Sequence, residues 1–252
     1  MIRNEIIWIT GASSGIGRAI AKQLAQQGNK IIASGRNRQA LAELALESDN
    51  ILPMICDLVK DNKDSIQQSL SELTDHLDRI LLSAGDCHYL TVEQGDWSCV
   101  DDVMAINFHG SVRAIQAALP LLEQSKHPHI VGISSMASLA PFTQAEAYGA
   151  SKAALSYFLG ALRIDLKAKN IDVTDIMPGF VDTPLTQKND FSMPFLMSSD
   201  DASHRIIKAI EKRSFTSVFP RRLYWLFKFI SFIPATWVKI NNKKEKASAE
   251  VD

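Results

Sequence analysis

Tyr148 and Lys152 stand four residues apart in a stretch with helical periodicity, so their side chains share one face. A phenol can give or take a proton, but its ordinary pKa of about 10 is too high for good acid–base work near neutrality. A neighbouring ammonium favours the phenolate and lowers that value. The same Y-x-x-x-K spacing also arises in ordinary helices, with the tyrosine half-buried and the lysine outside, so the pair has meaning only in its surroundings. Thirteen residues before Tyr148, Ile130-Val131-Gly132-Ile133-Ser134-Ser135 reads as a strand ending in two serines. A serine hydroxyl there can donate a hydrogen bond to an oxygen on which negative charge develops. Strand alternation sends Ser134 and Ser135 to opposite faces, so the two are rivals for that role. Asn107, in Met104-Ala105-Ile106-Asn107, is a polar side chain in mid-helix, either turned to solvent or engaged in a site.

A second constellation lies near the start. Thr10-Gly11-Ala12-Ser13-Ser14-Gly15-Ile16-Gly17 joins a strand-like run to a helical pattern. Glycines let the backbone turn tightly and approach a pyrophosphate, and the helix N-terminus offers N–H groups and a positive dipole end to that anion. The second strand-like run ends Ile31-Ile32-Ala33-Ser34-Gly35-Arg36. In dinucleotide folds an acid at this strand end holds the ribose 2′-hydroxyl, whereas an arginine suits a 2′-phosphate. Gly35 takes the acid's place, Arg36 follows it, and Arg38 is close. NADP(H) is therefore expected ahead of NAD(H), the alternative being that both arginines are solvated charges at a helix start.

The glycine spacing is not the G-x-G-x-x-G of common dinucleotide folds. T-G-x-x-x-G-x-G resembles instead the short-chain dehydrogenase/reductase family, and the resemblance extends from about Ile6 to Thr183. Tyr148-Gly149-Ala150-Ser151-Lys152 is similar to that family's Y-x-A-S-K, with Ser135 at its distance before the tyrosine. The resemblance implies hydride transfer between a nicotinamide and a carbonyl or alcohol, with Ser135, Tyr148, Lys152 and Asn107 as the catalytic set. Tyr148 would be the general acid/base, and Lys152 would also reach the nicotinamide ribose. Ser135, rather than Ser134, would bond the substrate oxygen, and Asn107 would hold a water in a proton relay to Lys152.

For the cofactor, the resemblance implies Gly11, Ser13, Ser14, Gly15, Ile16 and Gly17 at the phosphates, with Arg36 at the ribose. Asp57 and Leu58 would lie at the adenine. Ser83-Ala84-Gly85 stands for the family's N-A-G motif, with Ser in place of Asn. Pro178 and Gly179 match its P-G motif, with Val181 and Thr183 near the carboxamide and phosphates. Gly132 and Ser138 also depart from common family residues, at positions that carry no chemistry. No metal ligand is implied.

These residues need a frame. Strand-like runs fall at Ile6–Thr10, Lys30–Ser34, Ile51–Ile55, Arg79–Ser83, His129–Ser134, Ile171–Met177 and Ser217–Phe219. Helical patterns lie between them at Gly15–Gln27, Arg38–Glu47, Asn62–Thr74, Asp101–Glu123, Tyr148–Ala168 and Ser199–Lys212. Such alternation predicts an α/β fold, a doubly wound parallel sheet that is seven-stranded by resemblance. Ligands then bind beyond the carboxyl ends of the strands, where the motifs above fall. At 252 residues, with 46% hydrophobic and 22% charged, one Rossmann-like domain over 1–219 is expected. An apolar helical extension would follow over 220–240, and a basic, disordered tail over 241–252.

Three loops, Asp86–Trp97, Met136–Ala147 and Phe180–Met197, should supply the substrate side. They carry Tyr89, Trp97, Met136, Leu139, Phe142, Leu185, Phe191, Met193, Phe195 and Met197, which suit a lipophilic carbonyl or serve equally as core or dimer surface. His88 reads as a loop histidine. Arg221–Ile240 is apolar on nearly every side and interrupted by Lys228. It is too short to span a bilayer, but it could lie in a membrane interface, cover the cleft or pack on another subunit. Net charge is -1 overall, yet from Lys208 onward ten Lys/Arg face four Asp/Glu, so Arg221 to Lys244 could make a peripheral membrane contact. Three cysteines without paired spacing, and no signal-like run before the first strand, lead us to expect a cytoplasmic protein, with any membrane contact at the inner face. A homodimer or homotetramer acting on a small molecule, without nucleic acid, is the expected assembly. The alternative is a catalytically silent nucleotide-binding or membrane-recruited protein on the same fold.

Overall fold

The computed structural model describes residues 1–189 and 191–240, so the expected disordered tail over 241–252 lies outside the described residues. Seven strands, β1 (Ile6–Thr10), β2 (Lys30–Gly35), β3 (Ile51–Ile55), β4 (Arg79–Leu82), β5 (His129–Ile133), β6 (Asp172–Pro178) and β7 (Thr216–Phe219), form one sheet. Their order is β3-β2-β1-β4-β5-β6-β7, and every pairing is parallel. The chain winds outward to β3, then returns to start β4 beside β1, so the strand order reverses between β1 and β4. That reversal opens a crevice at the carboxyl end of the sheet.

Alternation along the strands loads both faces with apolar side chains. In β1, Ile7 and Ile9 join one core while Trp8, between them, joins the other. The first core is closed by α1 (Gly15–Gln26), α2 (Arg38–Ala45) and α7 (Ser199–Glu211), through residues such as Ile20, Leu24, Leu41 and Ile206. The second is closed by α3 (Lys63–Ser71), α5 (Gly110–Leu122) and α6 (Glu146–Leu166), through Ile66, Leu70, Ala118 and Leu159.

Helix ends fall within a few residues of the sequence reading except in one place. The helix expected over Asp101–Glu123 begins earlier, as α4 (Ser98–Met104), and reaches α5 through a π-helical turn, Ala105–His109. Asn107 sits in that turn, and its side-chain bonds account for the wider turn, as shown below. Beyond β7, α8 (Arg221–Ile230) and a further helical stretch over 234–240 close a third apolar cluster, of Met136, Ala140, Met177, Leu223, Phe227 and Ile230. No helix among the described residues is long and apolar enough to cross a membrane.

Candidate active site

The glycine turn is shaped by what it must pass. Gly11 has φ +67°, and a Cβ there would lie 2.6 Å from the Ala84 Cα. A Cβ on Gly17 would strike the Gly11 carbonyl oxygen. The turn can therefore lie flat between β1 and the loop after β4. Thr10 stitches the two together: its Oγ1 accepts the N–H groups of Ser83 (3.1 Å) and Ala84 (3.2 Å). Ser14 precedes α1 without a side-chain capping bond, so the first N–H groups of this 12-residue helix face the crevice uncapped.

The crevice is one continuous cleft of about 270 Å³. Gly11, Ser13, Ser14, Gly15 and Ile16 line its phosphate end, and Arg36 closes the far side, exposed. Among the described residues Arg36 makes no ion pair or side-chain hydrogen bond. Leu58 lines the cleft, together with Cys56. Asp57 does not: its carboxylate accepts the backbone N–H groups of Val59 (3.0 Å) and Lys60 (3.4 Å), closing its own turn. Ser83, Ala84, Gly85, Pro178, Gly179, Val181 and Thr183 line the rest of the cleft. Gly17 lies behind the lining, buried. A tight glycine turn, uncapped helix N–H groups and an unpaired arginine fit a dinucleotide.

Ser135, Tyr148 and Lys152 meet in this same cleft. β5 delivers Ser135, and α6 delivers the other two from one face. The Ser135 hydroxyl is close enough to Tyr148 to favour its phenolate, and the Lys152 Nζ lies 5.8 Å from the centroid of the Tyr148 ring. Lys152 is buried, and its Nζ donates to the Ile133 carbonyl at 2.9 Å. Burial lowers its pKa from 10.5 to about 8, with Asp175 the main opposing charge. The lowering expected for Tyr148 is not seen here. Burial pushes its phenol up to about 12, and the neighbouring Ser135 hydroxyl only partly offsets this.

The buried Asn107 excludes the solvent-facing reading. Its Nδ2 donates to Ser151 Oγ (2.8 Å) and to the Asp86 carbonyl (2.9 Å), while its Oδ1 accepts from the Asp86 N–H (2.8 Å). These bonds hold the loop after β4 against α6, and the extra residue of the π turn lets Asn107 reach both. A Cβ on Gly85 would lie 3.0 Å from Asn107 Oδ1 and 3.4 Å from Lys152 Nζ, so Gly85 leaves a small gap between the two.

The sequence matches the family described as short chain dehydrogenase over residues 5–192. The chain belongs to that family. An uncharacterized oxidoreductase of Staphylococcus epidermidis is 32% identical over 219 residues, covering 86% of this chain and 95% of that protein. An NADP-dependent 3-hydroxy acid dehydrogenase of Shigella flexneri is 36% identical over 186 residues, covering 70% of this chain and 72% of that one. The crystal structure of a short-chain dehydrogenase/reductase from Burkholderia phymatum, in complex with NAD, superposes with a TM-score of 0.80 at 20% identity, covering 90% and 94% of the two chains. This short-chain dehydrogenase/reductase is thus an oxidoreductase-family chain on a Rossmann-like sheet.

Two features of this dehydrogenase were not visible in its sequence. Ser134, the rival of Ser135, also lines the cleft, but its hydroxyl is committed to Asp175 Oδ1 at 2.5 Å, while Ser156 donates to Asp175 Oδ2 at 2.6 Å. A buried carboxylate on β6 thereby ties the end of β5 to α6, the two elements that carry the reacting side chains. The alternation of β6 marks Asp175 as inward-facing, but nothing in sequence pairs it with two serines. The second feature is a division among the expected substrate residues. Tyr89 and Phe191 meet edge to face at 6.3 Å, and Leu185 lines the cleft. Met136 and Phe142 instead pack beneath the extension, Phe142 against Phe227 (5.0 Å) and Trp237 (5.8 Å). Met197 packs on the first core, and Trp97 and Phe195 are exposed. His88 is a loop residue 3.4 Å from the Asp86 carboxylate. Cys87 sits on the same loop, and burial pushes its thiol up to about 11, which keeps it neutral.

Proposed function

We propose that the chain is an NADP(H)-dependent oxidoreductase that reduces a lipophilic carbonyl to an alcohol, reversibly. The observation that carries this is the meeting of Ser135, Tyr148 and Lys152 in the cleft that the glycine turn opens. Bound NADPH would supply the hydride. It would be held by Gly11 to Gly17, Ser83 to Gly85, Lys152, and the segment from Pro178 to Thr183, with Arg36 at the 2′-phosphate. The chain's own residues handle the oxygen. Ser135 donates a hydrogen bond to the substrate oxygen and orients it, and Tyr148 gives its hydroxyl proton to that oxygen as negative charge develops. Burial keeps the phenol protonated across the working pH range, the state needed to donate. The Lys152 ammonium stabilises the phenolate left behind, and Asn107 fixes the loop that faces it.

NADP(H) rather than NAD(H) rests on Gly35 and Arg36, since no acid occupies the end of β2 to repel a 2′-phosphate. The lipophilic substrate rests on Tyr89, Phe191 and Leu185. A homo-oligomer is supported by the outer face of α6, where Tyr157 and Ile164 are both more than three-quarters exposed. The free state of Cys56, Cys87 and Cys99 supports a reducing, cytoplasmic setting.

The test is NADPH oxidation against a panel of aliphatic and aromatic aldehydes and ketones, comparing wild type with Tyr148→Phe. Wild-type turnover is expected with at least one of them. The variant should lose about 10²- to 10⁴-fold in kcat while still binding NADPH. Turnover that survives in Tyr148→Phe would remove the tyrosine from the mechanism.

A further inference from the structure

α8 has two apolar faces and only one is covered. Leu223, Phe227 and Ile230 point inward, onto Met136, Met177 and Phe142. On the other side, Trp225, Leu226 and Phe229 are each more than half exposed. They follow the helical spacing that puts neighbours on one face, and Phe232, just past the helix, is 73% exposed and continues the patch. Lys228 lies at its margin, its Nζ 5.7 Å from the centroid of the Phe232 ring. An apolar patch of this composition, rimmed by polar groups, marks a surface that meets something.

The charge around it selects the partner. From 220 to 240 the chain has four basic residues, Arg221, Arg222, Lys228 and Lys239, and no acid. Arg221 and Arg222 occupy the first turn of α8, where the helix dipole disfavours positive charge. Among the described residues neither makes an ion pair, so nothing in the described fold stabilises them there. A second copy meeting this face about a twofold axis would bring like charges together. An anionic lipid surface complements them, and tryptophan and phenylalanine side chains suit the boundary between headgroups and acyl chains.

We infer that the outer face of α8, with Phe232, is a docking surface for anionic lipid bilayers. It holds the protein peripherally on the membrane, with Trp225, Leu226, Phe229 and Phe232 in the interface and Arg221, Arg222 and Lys228 at the headgroups. The inner face of the same helix touches Gly179, where a Cβ would lie 2.9 Å from Leu223 Cδ2, and packs on Met136, the neighbour of Ser135. Gly179, which lines the cleft, would therefore lie within about one helix diameter, roughly 10–12 Å, of the docked face.

The full chain would be sedimented with vesicles of phosphatidylcholine alone and of phosphatidylcholine with phosphatidylglycerol, at low and at raised salt. Binding is expected to the phosphatidylglycerol vesicles and to weaken with salt. The combined variant Trp225→Ser, Phe229→Ser, Phe232→Ser should partition at least about tenfold more weakly while keeping the wild-type circular dichroism and melting temperature. Arg221→Glu with Arg222→Glu should remove the preference for phosphatidylglycerol. A wild-type chain that stays in the supernatant with both vesicles overturns the proposal, as does an apolar variant that partitions like wild type. If the apolar variant instead turns an oligomer into a monomer, and wild type ignores vesicles, the face joins two copies. Vesicle binding is read without nucleotide or turnover, so its failure leaves the reductase reading intact.

Discussion

Lys152 must be charged to stabilise a phenolate, yet the fold buries it. Its folded pKa of about 8 lies below the ordinary 10.5, so the folded chain holds this proton less tightly than the unfolded chain does. Between those two values the unfolded state carries more protons, and the stability of the nucleotide-free protein should rise with pH. Carbonyl reduction should run the other way: kcat should fall as pH rises through about 8 and the ammonium is lost. Lys152→Met removes the buried charge and should raise the melting temperature of the nucleotide-free protein at neutral pH while abolishing turnover. The lowered pKa corresponds to about 3 kcal/mol, from which the lost bond to Ile133 must be subtracted. A variant that melts well below wild type would contradict this account. Asp175, which opposes the lowering at Lys152, also works at this scale through two serines. Asp175→Ala leaves Ser156 without its acceptor and Ser134 with only the Ile176 carbonyl, and should cost about 1–3 kcal/mol in denaturant unfolding. Tyr148, Lys152 and Ser135 were legible because their chemistry and spacing coincide. The partners of Asp175 were not, because a buried hydrogen bond between distant segments leaves no local pattern.

Among the elements, the strands were the most legible. β1 and β3 begin and end where their sequences predict, because short apolar runs bounded by turns leave little choice. The glycine turn was legible as well, and Gly11 shows why its residue type is fixed. Gly11→Ala would force a Cβ against Ala84 in a left-handed backbone conformation. A loss of about 1–3 kcal/mol in stability is expected, with weaker nucleotide binding, read by melting with and without NADPH. The π turn at Ala105–His109 was not legible. It adds a residue to a helix whose apolar pattern continues across it, and its cause is tertiary, in the bonds from Asn107 to Ser151 and Asp86. The local turn that the Asp57 carboxylate closes was not legible either, beside Leu58 and Cys56 in the cleft lining.

The whole molecule joins a site at the β1/β4 crevice to an extension packed behind its substrate loops. The sequence of the extension reads as apolar all round, so it could not say which side is covered. Opposite faces of α8 give the check. Phe227→Ala should cost about 3–5 kcal/mol in melting or denaturant experiments, whereas Phe229→Ala should stay within about 0.5 kcal/mol. Equal effects would mean that α8 does not pack as described. The central claim joins both ends of the cleft, and nucleotide titration by fluorescence tests it most directly. Wild type and Arg36→Ala would each be titrated with NADPH and NADH. We expect wild type to bind NADPH more tightly, and the variant to lose roughly 10- to 100-fold of that preference, the worth of a charge-assisted bond to phosphate. Tighter binding of NADH by wild type would contradict the cofactor assignment, and no binding of either would contradict the reductase reading itself.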